Sequence, residues 1–361
     1  MNLRIPGPTP CPEEVLAAGA QQMMNHRGPE FAQVLRRVTD GLNWMFQTSS
    51  DVLSATTSGT GGLEMAVVNT LSPGDKVLAV SIGSFGERFR SIAQAYGAGI
   101  VSYALEWGEA ADPKEVGRLL DENPDVKAVT VTHNETSTGV TNPIEAIAKE
   151  ARSRDKLILV DAVSSMSSIP CPVERWDLDV VVSGSQKGWM VPPGLAFVYM
   201  SERAWAANAE AKMPRFYFDA AKTRDSLAKG QNPWTPAMSI YFALDKAFEL
   251  MRAEGLEGVF TRHQAIADYT RSRVKSLGLK LVPVDEQFAS NTVTAVWWPE
   301  GVDGSAISKR AREEFGIVLG GGQGKLQGKI FRVGHLGWVQ QREVEEALDV
   351  VEKLLGESRT A

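Results

Sequence analysis

Cysteine is scarce: the 361 residues hold two, Cys11 and Cys171, far apart and without a second pair at ligand spacing. That speaks against a disulfide framework and a zinc site, and it suits a reducing cytoplasm. Long apolar runs are missing as well. The amino terminus, Met1-Asn2-Leu3-Arg4-Ile5-Pro6-Gly7-Pro8, lacks the apolar core of an export leader, and no stretch approaches the length of a membrane span. The tail Glu357-Ser358-Arg359-Thr360-Ala361 carries no recognisable peroxisomal or endoplasmic-reticulum address. No long basic run occurs and the formal net charge is −6, which argues against a nucleic-acid footprint or a polybasic membrane patch. Internal repeats and low-complexity segments are not evident either. The expectation is a soluble protein whose partner is a small molecule.

What is present is apolar material in quantity. At 43% hydrophobic and 23% charged, the chain can bury one large core and a smaller one. Strand-like runs at 52–57, 75–81, 99–105, 126–132, 156–160, 179–183 and 195–200 alternate with helical patterns. Several are apolar at consecutive positions, such as Lys156-Leu157-Ile158-Leu159-Val160 and Asp179-Val180-Val181-Val182, the mark of strands buried on both faces. This predicts an α/β fold with a mostly parallel central sheet, and ligand-binding residues just past the strand ends. After Thr235-Pro236 long helices take over, near 236–254 and 256–277, followed by a strand near 292–298 and helices near 303–315 and 340–355. A second, smaller α+β domain is expected there, dividing the chain into 21–255 and 256–361.

Three segments carry chemistry. Ser58-Gly59-Thr60-Gly61-Gly62-Leu63-Glu64 is a glycine-rich turn between a strand and a helix, where free amides and the helix dipole favour an anion such as phosphate. Taken alone it is equally well a plain connection. Leu157 to Val160 deliver Asp161 at the end of an apolar strand, where an acid can cap a helix, bind a metal or face a cationic ring nitrogen. Val180-Val181-Val182-Ser183-Gly184-Ser185-Gln186-Lys187 ends another buried strand in a lysine, a residue that becomes nucleophilic when desolvation lowers its pKa and that otherwise snorkels to solvent.

Glycine cup, strand-end aspartate and strand-end lysine, in successive βα units, resemble the fold-type I enzymes that use pyridoxal 5′-phosphate (PLP). More narrowly, the chain resembles the class V aminotransferase family, in its alanine–glyoxylate and serine–glyoxylate branch. The matching stretches are Pro6-Gly7-Pro8-Thr9-Pro10, Ser58-Gly59-Thr60-Gly61-Gly62, His133-Asn134-Glu135-Thr136-Ser137-Thr138-Gly139, Val160-Asp161-Ala162-Val163-Ser164, Ser183-Gly184-Ser185-Gln186-Lys187 and Phe331-Arg332-Val333-Gly334.

The resemblance implies that Lys187 holds PLP as a Schiff base and Asp161 pairs with its ring nitrogen. It gives the phosphate to Thr60, Gly61 and Gly62 with Gln186 beside them. Phe85 would stack on the ring, Val163 pack beneath it, and Thr136 contact the O3′ side. Asn232 and Thr235 would reach across a homodimer interface to the partner's phosphate, although relatives often carry tyrosine at position 232 and some carry histidine at 62. Arg332 would grip the substrate carboxylate, with Gly7, in an N-terminal segment of residues 1–20, packed over it and His26 and Arg27 at the pocket entrance. The implied substrates are a small amino acid (serine or alanine) and a small 2-oxo acid (glyoxylate or pyruvate), with no metal. A 2-aminoethylphosphonate or phosphoserine aminotransferase is the alternative. A desulfurase would need a mobile nucleophilic cysteine, which neither Cys11 nor Cys171 supplies. The run Gly320-Gly321-Gly322-Gln323-Gly324 lacks the ending of a phosphate-binding P-loop and is expected as a flexible loop near Arg332.

Overall fold

A computed structural model describes residues 1–360. In chain order the strands are β1 (Asn2–Arg4), β2 (Leu53–Thr56), β3 (Lys76–Ser81), β4 (Gly99–Ala104), β5 (Val126–Thr132), β6 (Asn134–Glu135), β7 (Val140–Thr141), β8 (Leu157–Asp161), β9 (Val180–Gly184), β10 (Leu195–Met200), β11 (Val293–Trp297), β12 (Ile317–Gly321) and β13 (Ile330–Gly334). β2 to β5 and β8 to β10 form one sheet, ordered β2-β10-β9-β8-β5-β3-β4. Within it β10 runs antiparallel to both neighbours and the remaining pairs are parallel, so the expected mostly parallel sheet is present.

Alternation along these strands explains why they read as unbroken apolar runs. Leu78, Val160 and Val181 enter one buried cluster, whereas Val77, Leu159, Val180 and Val182 enter another. Successive side chains point to opposite faces, and both faces are covered by helices. The apolar set on each side holds β8 and β9 in register, Leu159 opposite Val180 and Asp161 opposite Val182. That register brings the ends of the two strands together, and with them the segments that carry Asp161 and Lys187.

The smaller sheet is ordered β1-β12-β13-β11 and has its own core around Val296, Phe331, Val333 and Leu348. The long helices fall where expected, at Met238–Glu254, Leu256–Ser276, Gly304–Phe315 and Gln341–Thr360. Gly255, between the first two, has a φ of +79°, which an L side chain rarely adopts, so the chain can break one helix and start the next within a single residue. Two features depart from expectation. Gly320 and Gly321 belong to β12, where they pair with Arg332 and Phe331, so only the later part of the glycine run is a loop. Asn2–Arg4, which carries no strand signal of its own, is recruited as a parallel edge strand by β12. Among the described residues no helix is long and apolar enough to cross a membrane.

Candidate active site

Asp161 is the last residue of β8 and is buried, with its Oδ1 accepting the Val163 amide at 3.0 Å and its backbone carbonyl accepting the His133 amide at 2.8 Å. Burial pushes its carboxyl up to about 7, and the nearby Glu135 carboxylate adds to this. The Val163 hydrogen bond, Lys187 and Arg88 pull the other way. It is an acid placed where a cationic partner would restore its charge.

Lys187, three residues past the end of β9, is also buried, and its Nζ donates to the Pro6 carbonyl at 2.8 Å. Desolvation lowers its pKa to about 8, with Arg332 and Arg88 contributing and Asp161 opposing. The N-terminal segment is stitched over it: Thr9 Oγ1 donates to the Lys187 carbonyl at 2.8 Å, and the Thr9 amide donates to the Gln186 carbonyl at 3.1 Å. A Cβ on Gly7 would lie 2.7 Å from Nζ. Gly7 therefore lies directly over the lysine.

The glycine cup opens helix Gly59–Thr70, whose N-cap Ser58 makes no side-chain cap. The first three amides, of Gly59, Thr60 and Gly61, precede the first i−4 helical bond and face outward for an anion. Gly62 differs. Its amide already donates to the Ser58 carbonyl at 3.1 Å, and an added Cβ would sit 2.6 Å from Val182 Cγ1 and 3.0 Å from Ala196 Cβ. Gly62 thus packs its helix closely on β9 and β10. Gly62→Ala should destabilise the apoprotein by about 1–3 kcal/mol through overpacking, read from its unfolding midpoint in denaturant. Gln186 Oε1 is buried beside the cup with no hydrogen-bond partner, 3.3 Å from where a Cβ on Gly184 would stand, itself 3.3 Å from Gly59.

Phe85, half-buried near the start of helix Ser84–Ala95, carries the Arg88 guanidinium 4.8 Å from its ring centroid, and Arg88 Nη1 donates to Thr60 Oγ1 at 3.3 Å. Val163 packs against Gly59, whose Cβ would come within 2.7 Å of Val163 Cγ2. Thr136 Oγ1 donates to Ser164 Oγ at 2.9 Å, and Ser164 Oγ donates to the Asn134 carbonyl at 2.9 Å. Arg332, on β13 of the small sheet, is buried, with Nε donating to the Gly321 carbonyl and Nη1 to the Thr136 carbonyl, each at 2.9 Å. Burial lowers its pKa to about 10, still a cation at neutral pH. Its Nη2 makes no hydrogen bond among those described, so one arm of the fork is free.

Within one protomer, four of the expected residues are not drawn to this cluster by any described contact. Asn232 Nδ2 donates to Tyr241 Oη at 2.8 Å, Thr235 is exposed, Arg27 Nη1 donates to Gln231 Oε1 at 2.8 Å, and His26 is half-buried. Both thiols are pushed up by burial, Cys11 to about 11 and Cys171 to about 12, which keeps them protonated and poorly nucleophilic. Glu135, Arg88 and Ser164 belong to the site's surroundings, yet sequence reasoning gave them no role. Glu135 and Ser164 lie inside stretches singled out above, and Arg88 lies one helical turn past Phe85, so the signal was their position.

A buried acid and a buried, deprotonation-prone lysine on adjacent strand ends, next to an anion cup, match what the comparisons return. The aminotransferase class-V profile matches residues 2–331. The chain belongs to the class V aminotransferase family. It is 37% identical to a serine–glyoxylate aminotransferase of Methylorubrum extorquens, over 93% of this chain and 86% of that one. It is 44% identical to a protein of a Synechococcus species named as the small subunit of a soluble hydrogenase, over 98% and 93%. Among solved structures, alanine–glyoxylate aminotransferase from Nostoc sp. superposes with a TM-score of 0.94 at 31% identity, covering 98% and 94%. Family membership and fold agree that the chain is a fold-type I aminotransferase.

Proposed function

We propose that the protein is a PLP-dependent aminotransferase that moves the amino group of serine or alanine to glyoxylate or pyruvate. The observation that carries this reading is the buried pair Asp161 and Lys187 at adjacent strand ends. The residues fit the cofactor: Gly59, Thr60 and Gly61 offer amides to its phosphate, and Gln186 holds a buried polar atom in need of a partner. Asp161, an acid raised by burial, gains its counter-charge from a protonated ring nitrogen. When bound, PLP supplies the electron sink and takes up the amino group.

The chain's own residues do the rest. Lys187, with its pKa lowered to about 8, offers a neutral amine that would hold the cofactor and would take the α-proton of the substrate and return it. Phe85 and Val163 hold the ring between them, with Thr136 near its edge. Arg332, anchored by two carbonyls and free at Nη2, binds the carboxylate of the donor and then of the acceptor, as a ping-pong cycle requires of one pocket. Covalent uptake of PLP by the apoprotein needs unprotonated Lys187, so its rate should rise with pH up to about 8 and level off above, as followed by stopped-flow absorbance; a flat profile from pH 6 to pH 9 would count against Lys187. Arg332→Lys replaces a planar fork by a point charge and should raise KM for both substrates about tenfold or more with a smaller change in kcat, measured in steady-state assays.

We further propose a homodimer in which Asn232 and Thr235 act on the partner's cofactor phosphate, since neither is drawn to its own site, with His26 and Arg27 at the entrance. The unpaired thiols suit a reducing compartment, and we assign the enzyme to the cytoplasm. The test of the reading is substrate profiling of the PLP-loaded protein with serine, alanine and 2-aminoethylphosphonate: turnover of the last alone would move the assignment to a phosphonate aminotransferase.

A further inference from the structure

Helix Ser84–Ala95 starts without a cap of its own. Its N-cap residue is Gly83, which has no side chain to offer the first amides. A side chain there is excluded, because a Cβ on Gly83 would stand 2.4 Å from Ser137 Oγ and 2.5 Å from Glu135 Cγ and Cδ. The capping atoms come instead from a distant strand. Glu135, on β6 and fully buried, accepts the Phe85 and Gly86 amides at 3.1 Å each, and Ser137 Oγ accepts the Ser84 amide at 3.0 Å. Ser137 in turn donates both its amide, at 3.1 Å, and its hydroxyl to Glu135 Oε1.

Three backbone amides and the Ser137 hydroxyl meet this carboxyl. The three backbone amides can only donate, so they need acceptor oxygens from this side chain, which is set against the positive end of the helix. Burial pushes the Glu135 carboxyl above the ordinary carboxylate value, and the hydrogen bonds from Ser137, Gly86 and Phe85 hold part of that rise back. The cap joins two walls of the active site. On one side is the helix start that carries Phe85. On the other is the β6 turn, whose Thr136 carbonyl holds Arg332.

We infer that Glu135 is a positioning residue that fixes the Phe85 ring over the cofactor by serving as the remote N-cap of helix Ser84–Ala95. The inference rests on the functional reading above, because it needs a ring for Phe85 to cover. Glu135→Gln keeps the shape but places an amide N–H₂ against amide donors, which leaves a buried donor unpaired. The helix start should then loosen and Phe85 lose its fixed plane.

The experiment is titration of apoprotein with PLP, reading the dissociation constant from absorbance and the visible circular dichroism of the bound ring, for wild type, Glu135→Gln, Phe85→Leu and the double variant. Glu135→Gln should weaken PLP binding about 10- to 100-fold and diminish the ring dichroism. In the Phe85→Leu background the same change should cost less than about threefold, because its route through Phe85 is already gone. Ser137→Ala, a milder removal of one arm of the cap, should move both readouts in the same direction by less, and it serves if Glu135→Gln does not fold. Wild-type affinity and dichroism in both cap variants, or losses that simply add to those of Phe85→Leu, would overturn the inference. A wild-type protein that takes up no PLP would instead overturn the functional reading.

Discussion

Lys187→Ala should abolish the visible absorbance that PLP acquires on binding to the wild type, and lower the rate of amino transfer by about 10⁴-fold or more. The size follows from the loss of two functions at once, covalent attachment and movement of the α-proton, of which positioned proton transfer alone is worth about 10²–10⁴-fold. Misfolding will not account for it. The folded-state pKa of Lys187 is depressed from 10.5 to about 8, so the folded protein resists protonating a group that the unfolded chain protonates freely. That penalty grows as pH falls below 10.5 and is complete below about 8. Removing the amine lifts it, and the apoprotein of Lys187→Ala should melt no lower than wild type at pH 6. A variant that melts early would show that the Pro6 contact dominates instead.

Asp161→Asn should leave PLP bound and coloured through Lys187, yet slow the loss of that colour on adding serine by about 10²–10⁴-fold. An asparagine of the same shape retains an oxygen for the Val163 amide. It cannot supply the negative charge that keeps a ring nitrogen protonated. Single-turnover kinetics separate the two variants: Lys187→Ala fails at attachment, Asp161→Asn at proton removal. Full activity in Asp161→Asn would reduce Asp161 to a structural acid at a strand end.

The two residues on which the proposed function rests were also the most legible. Leu157 to Val160 and Val180 to Val182 are apolar at every position because both faces of a parallel strand are buried, and such a run ends abruptly where the site begins. The N4 position of Gly62 was not legible, because which glycine amides remain free depends on where the first helical bond closes. Nor was the strand character of Asn2–Arg4 and Gly320–Gly321, which comes from pairing with partners ten or more residues away and not from local propensity. Glu135 illustrates the same limit. A cap drawn from another strand leaves no spacing signal in the helix it serves. Gly83 is its only local trace, and a glycine before a helix reads as a turn.

The most direct test of the account is one half-reaction. PLP-loaded protein is mixed with serine or alanine and no 2-oxo acid, and the visible band is followed together with released hydroxypyruvate or pyruvate. The account predicts that the band bleaches as one oxo acid is released per site, and that adding glyoxylate restores it. A band that persists with either amino acid, or bleaching without an oxo acid product, would contradict amino transfer as the work of this site.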